Sequence, residues 1–160
     1  MRLILFFTAI LYFLGASDVL CHAGGNNVLS VTATVISKSN CKFSTGTSSL
    51  NFGTLDPGNP SDSTVNTAVT FRCAGSAPIA TYAIGHDSGL YETGVNAPRM
   101  RHATIPTEYL PYTLTLNPSS GSAPRNVNQT LTISGTVQGA VFQNAYAGDY
   151  ADTVVISITP

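Results

Sequence analysis

Few side chains in this chain could do covalent or acid–base chemistry. His86-Asp87-Ser88 sets the three residue types of a hydrolytic triad side by side. Such a triad is assembled in space from separate elements, and neighbours along a strand point to opposite faces, so the tripeptide reads as a solvated turn. His86 and His102 could join an acidic residue at zinc, but no ligand-spacing motif accompanies them. Asp149 and Asp152 flank Tyr150, and paired carboxylates can serve glycoside hydrolysis. With no second acid cluster and no tryptophan platform they read as turn residues. Tyr150 is then expected to pack its ring inward and bond through its hydroxyl, as in a tyrosine corner. No catalytic residue, metal or cofactor is expected, and the chain does not read as an enzyme.

The remaining chemistry is that of thiols, and it depends on the compartment. Arg2 precedes an apolar run over residues 3–14, and small or polar residues follow up to Ala23. That is the layout of a secretory signal peptide, and the run is well short of the roughly 20 residues that a helix needs to cross a bilayer core. Cys21 and Ala23 supply the small residues before a cut at Gly24, with Gly15 and Ser17 as the weaker alternative. Cys21 also admits a lipoprotein reading, against which Asp18, Val19 and Leu20 argue. With 1–23 removed as a signal peptide, no direct membrane anchor is expected. Cys41 and Cys73 remain, and an even number in an exported chain reads as a disulfide.

The exported part has 160 − 23 = 137 residues, the size of one domain. Removing Arg2 and Asp18 leaves 7 − 1 = 6 basic and 8 − 1 = 7 acidic residues, so the net charge stays near −1. So few charges, so evenly balanced, leave no footprint for nucleic acid or an anionic membrane. A surface rich in Thr, Ser, Asn, Gly and Ala suits close contact with copies of itself.

Short β-rich runs separated by Gly, Pro, Asn, Asp and Ser recur to the end, and no stretch has helical apolar spacing. Strands are predicted at 28–37, 50–53, 65–73, 79–85, 110–116, 130–137 and 153–159, with loops at 56–60, 75–78 and 117–121. Residues 86–108 read as a long excursion with one short strand near Met100. This pattern predicts an all-β, two-sheet sandwich of immunoglobulin type, with a closed barrel as the alternative. Val65, Val69, Phe71 and Cys73 alternate with Asn66, Ala68, Thr70 and Arg72, so one face turns inward and carries the disulfide. The expected core and groove are Phe52, Val69, Phe71, Tyr112, Leu114, Tyr150, Val154 and Ile156. The chain stops at Pro160, where a complete sandwich would turn back into one more strand.

An ordered set of motifs resembles the spore coat protein U domain, the family that includes the pilins of archaic chaperone-usher pili. The set is the alternating segment before Cys41, Asn51-Phe52-Gly53, Phe71-Arg72-Cys73, Arg99-Met100, Tyr109 to Leu114, and Ala147 to Val154. Its ending at Thr159-Pro160 and residues 138–144 depart from the family pattern. The resemblance implies an incomplete immunoglobulin-like sandwich lacking its last strand and completed by donor-strand complementation. It also implies a periplasmic pilus chaperone, an outer-membrane usher and neighbouring copies of the chain as partners. The product would be a structural subunit on the surface of a Gram-negative bacterium, or alternatively a secreted coat or matrix protein that builds no pilus. Residues 24–37 are then the donor segment and 38–160 the sandwich. Leu29, Val31, Ala33 and Val35 fall on one side of that segment, ready to fill a neighbour's groove.

Overall fold

A computed structural model of the chain describes residues 29–34 and 37–160. The expected signal peptide at 1–23 and Val35 lie outside the described residues. The chain divides into two units, Met1–Thr34 and Val35–Pro160. In the first, residues 29–34 carry no regular secondary structure and are exposed throughout, Leu29 and Val31 each at 82%. The described part of the strand expected at 28–37 is thus not paired into any sheet.

The second unit runs β1 (Ser39–Phe43), β2 (Ser63–Gly75), β3 (Ile79–His86), β4 (Arg99–His102), β5 (Tyr109–Pro111), β6 (Thr113–Asn117), β7 (Ser120–Pro124), β8 (Asn128–Val137), a single helical turn α1 (Gly139–Phe142), β9 (Tyr150–Ala151) and β10 (Ile156–Thr159). All pairings are antiparallel, in sheets of order β1-β2-β8-β6, β10-β3-β7 and β5-β4-β9. The spine is the β2–β8 ladder, from Ser63 opposite Val137 to Arg72 opposite Asn128. Period-2 alternation places Val65, Val69, Phe71 and Cys73 on its inner face and Asn66, Ala68, Thr70 and Arg72 outside.

The first two sheets share one core, in which Phe71, Cys73, Leu131 and Ile133 meet Ala80, Tyr82, Ile84 and Ala123. The rings of Phe71 and Tyr82 meet edge-on across it, 4.8 Å between centroids. A second core of Leu110, Tyr112, Val137 and Phe142 lies at the end covered by β5, β4 and α1. The fold is an all-β antiparallel sandwich.

Several expected boundaries move for local reasons. The single strand at 110–116 is split into β5 and β6, which belong to different sheets. Pro111 ends β5 because it has no N–H to continue a ladder, and the Tyr112 amide turns to the Pro98 carbonyl at 3.2 Å. Residues 50–53 join no ladder. The Asn51 side chain accepts from the Gly53 amide at 2.8 Å, a turn closed on itself, with Gly53 at φ 67°. The expected loop at 117–121 is shorter, since β7 begins at Ser120 and pairs with β3. β10 starts at Ile156, not at 153. β1 was not expected at all.

Cys41 and Cys73 face each other across β1 and β2 and form the disulfide, 32 residues apart in sequence. Five-residue β1 is an edge strand, so the bridge fixes an element that its own ladder holds weakly. Cys73→Ser is expected to lower stability by about 3.7 kcal/mol, the chain-entropy value for a loop of this length. Denaturant midpoints of oxidised wild type and variant measure it, and equal midpoints would contradict it.

Candidate functional site

The two long sides of the sandwich differ. On one side the chain itself joins the sheets. β6, an edge of the first, passes through Pro118 and Ser119 into β7, an edge of the second, and the Ser119 carbonyl accepts from Ile84 N–H at 2.7 Å. On the other side β1 and β10 lie near one another without pairing. β1 pairs only with β2, and β10 only with β3. Among the described residues no strand covers either outer edge, so both present backbone donors and acceptors for a further strand.

Phe43 on β1 and Ile156 and Ile158 on β10 bring apolar side chains to this open side, half-buried rather than buried. Phe43, Leu50, Ile156 and Ile158 pack against the first core. Phe52, Leu55, Tyr150 and Val154 pack against the second. Of the residues expected in the groove and core, Val69, Phe71 and Ile156 belong to the first cluster and Phe52, Tyr112, Tyr150 and Val154 to the second, while Leu114 touches both. Phe71 and Tyr112 are buried; the other six are half-buried. Of the donor residues, Leu29, Val31 and Ala33 are exposed.

A cleft of about 480 Å³ lies where the loop bearing Leu50 to Pro57 faces the loop bearing Ala145 to Tyr150, over Met100, Leu110 and Phe142. Glycines let these loops close on the sheet. A Cβ on Gly135 of β8 would meet the Phe52 ring at 2.9 Å, so the missing side chain is what lets Phe52 sit over the inner face. A Cβ on Gly139 would meet the Pro60 carbonyl oxygen at 2.2 Å, and the Gly139 amide donates to Asp62 Oδ1 at 2.9 Å.

Two carboxylates hold the strand leading into β10, a role that spacing did not reveal. Asp152 accepts from the Tyr112 hydroxyl at 2.7 Å, the Leu90 amide at 2.9 Å and the Thr153 amide at 2.8 Å. Asp87 accepts from the Gly89 amide at 3.1 Å and the Val155 amide at 2.9 Å. The amides of Thr153 and Val155 therefore go to carboxylates, which is why β10 begins late. Asp152 is not a simple turn residue. Nor is 86–88 a solvated turn, since Ser88 is buried and accepts the Asn96 amide at 3.0 Å. The long excursion is thereby fastened to the open side of the sandwich.

Burial lifts the Tyr112 phenol well above its ordinary value, and the adjoining Asp152, by hydrogen bond and charge, lifts it further. The native state keeps this proton after the unfolded chain, titrating near about 10, has released it. Its contribution to stability is whole below about pH 10 and is lost as pH rises above that toward the folded value. Tyr112→Phe is therefore expected to flatten the fall in urea midpoint between about pH 9 and 11, and equal slopes would contradict the coupling.

At the cleft, Tyr150 donates to the Tyr146 carbonyl at 2.9 Å, the hydroxyl-to-backbone bond of a tyrosine corner. Burial, then the Glu108 charge, raise its phenol. Its ring stands edge-on to His102 at 4.9 Å. His102 is buried, accepting at Nδ1 from the Thr104 and Ile105 amides at 3.1 Å each, which leaves Nε2 to donate to the Ala147 carbonyl at 3.1 Å. Both ring nitrogens are thus engaged in holding backbone. Among the described residues no three of His, Cys, Asp and Glu gather as a metal site.

No curated protein matches the sequence. A chain in a solved chaperone–tip adhesin complex of CFA/I fimbriae biogenesis has a similar fold, with a TM-score of 0.50 at 13% identity. The likeness covers 76% of this chain and only 42% of that one. The family profile of the Spore Coat Protein U domain matches residues 27–157, nearly all of the sequence beyond the expected leader, and the chain belongs to that family.

Proposed function

We propose that this protein is a structural subunit of a surface pilus of chaperone-usher type and that it polymerises by donor-strand exchange. The observation that carries the reading is the open side of the sandwich, where β1 and β10 present uncovered edges beside half-buried apolar side chains. An exposed edge over apolar surface is a template for a further strand. The segment bearing Leu29, Val31 and Ala33 is an exposed strand-length stretch with one apolar side. Its copy on a neighbouring subunit fills the groove in the fibre. Before that, a periplasmic chaperone covers the same side and delivers the subunit to an outer-membrane usher. The fold shared with the chaperone–tip adhesin complex fits this reading, and the protein's action is assembly rather than catalysis.

Expression with and without a periplasmic pilus chaperone from the same organism, followed by native mass measurement, tests it. A one-to-one complex is expected with the chaperone and little soluble subunit without it. A stable lone monomer accumulating in the absence of any partner would overturn the reading.

A further inference from the structure

The β4–β5 pair carries, on one face, a cluster of arginine and tyrosine. Arg99 and Arg101 are two apart on β4 and so share a face, with Met100 and His102 turned the other way. Tyr109 sits opposite Arg101 on β5, and Tyr91 arrives from the long excursion. The Arg99 guanidinium lies 3.7 Å above the Tyr109 ring centroid, and that of Arg101 lies 4.4 Å above Tyr91. The two rings are 6.2 Å apart, and Arg99 Nε donates to the Tyr91 carbonyl. Arg101 is exposed and the other three are half-buried.

Each guanidinium carbon thus sits over a tyrosine ring, and the N–H groups directed away from the rings are left for a partner. A guanidinium held over a ring has lost much of its rotamer freedom already, and its fork matches a carboxylate in bidentate fashion. Two of the seven basic residues of the chain are concentrated here. Glu92 and Glu108 adjoin Tyr91 and Tyr109 in sequence, so the local charge is balanced. A densely charged polyanion, whose affinity rests on many simultaneous phosphate neutralisations, finds too little here. A ligand with single, spaced carboxylates and uncharged faces that pack on tyrosine edges is the better match.

We propose that Tyr91, Arg99, Arg101 and Tyr109 form a carbohydrate site that takes a carboxylated polysaccharide of the uronic acid kind. Arg101 and Arg99 bind the carboxylate and the tyrosines pack the sugar ring. One such site is weak, and its repetition along a fibre would multiply the affinity for a polymer of matching charge. That amplification rests on the pilus reading, whereas binding by a single subunit does not.

The test uses full-chain protein purified from the periplasm with whatever partner accompanies it, passed over immobilised polygalacturonate, neutral dextran and double-stranded DNA. Retention on polygalacturonate alone is expected. Arg101→Gln should weaken it by about tenfold, the loss of one charge-assisted contact. Arg101→Lys, which keeps the charge and loses the fork, should weaken it nearly as much. Because Arg101 is exposed, the thermal midpoint should not move, which separates lost binding from lost folding. No retention by wild type, wild-type retention by either variant, or tighter retention on DNA would each overturn the proposal.

Discussion

Removal of residues 24–34 is expected to abolish fibres while the subunit still folds and still binds its chaperone. Among the described residues, 29–34 belong to no ladder, and all three sheets are built from residues 39–159. The ladders of the second unit therefore form without residues 29–34. Polymerisation needs them, on the proposed mechanism, because Leu29, Val31 and Ala33 are the side chains that would enter the neighbour's groove. Val31→Asp is the finer version and leaves the expected processing site untouched. It presses a carboxylate into an apolar groove without a partner, a cost of several kcal/mol that strand pairing alone does not offset. Electron microscopy of sheared cell-surface material and chaperone pull-down read the two outcomes separately. Chaperone binding lost together with fibres would make the segment an internal strand and sink donor-strand exchange for this chain.

Phe71→Ala should cost about 3–5 kcal/mol, a large part of the 5–15 kcal/mol that holds a typical domain together. Phe71 is fully buried, stands edge-on to Tyr82, and has the Phe43 ring of β1 6.2 Å away. Its removal would leave a cavity between the two sheets beside the disulfide, where the Cys41–Cys73 bridge restrains collapse. Thr70→Ala, on the outer face of the same strand, is the control and should change stability by no more than about 0.5 kcal/mol. Denaturant unfolding of the two variants gives the comparison. Equal losses would mean that the inner and outer faces of β2 do not differ as the burial pattern says.

What could be read from the sequence was whatever has a short period. The alternation from Val65 to Cys73 located the inner face of β2, and that of Val154, Ile156 and Ile158 located the apolar side of the last strand. The pairing of Cys41 with Cys73 followed from export and an even count. Elements defined by distant partners were not legible. β1 is Ser-Asn-Cys-Lys-Phe, with too few apolar residues to show alternation, and it is a strand because β2 lies beside it. β7 is Ser-Gly-Ser-Ala-Pro, a turn by composition, and it is ordered by β3 about forty residues earlier. Asp152 looked like half of a turn because its partners, Tyr112 and the Leu90 amide, are far away in the chain. Gly135 did carry a signal, since a glycine inside an otherwise regular strand marks the close approach of another group. The residues expected in groove and core pack in apolar clusters, and their division between two cores depends on the break at Pro111.

The disulfide also decides how this domain would carry a load. Tension applied at Ser37 enters β1, and at Cys41 the covalent path crosses to Cys73, so the chain between them is shunted. These residues, 32 apart in sequence, cannot be drawn out however far the sandwich is opened. The extensible length is shorter by roughly 100 Å at about 3.4 Å per residue. Force reaches β2 at its Cys73 end, where the long β2–β8 ladder resists in shear along many rungs at once. Reducing the bridge would turn a short, stiff element into one that yields early and pays out the whole of that hidden length.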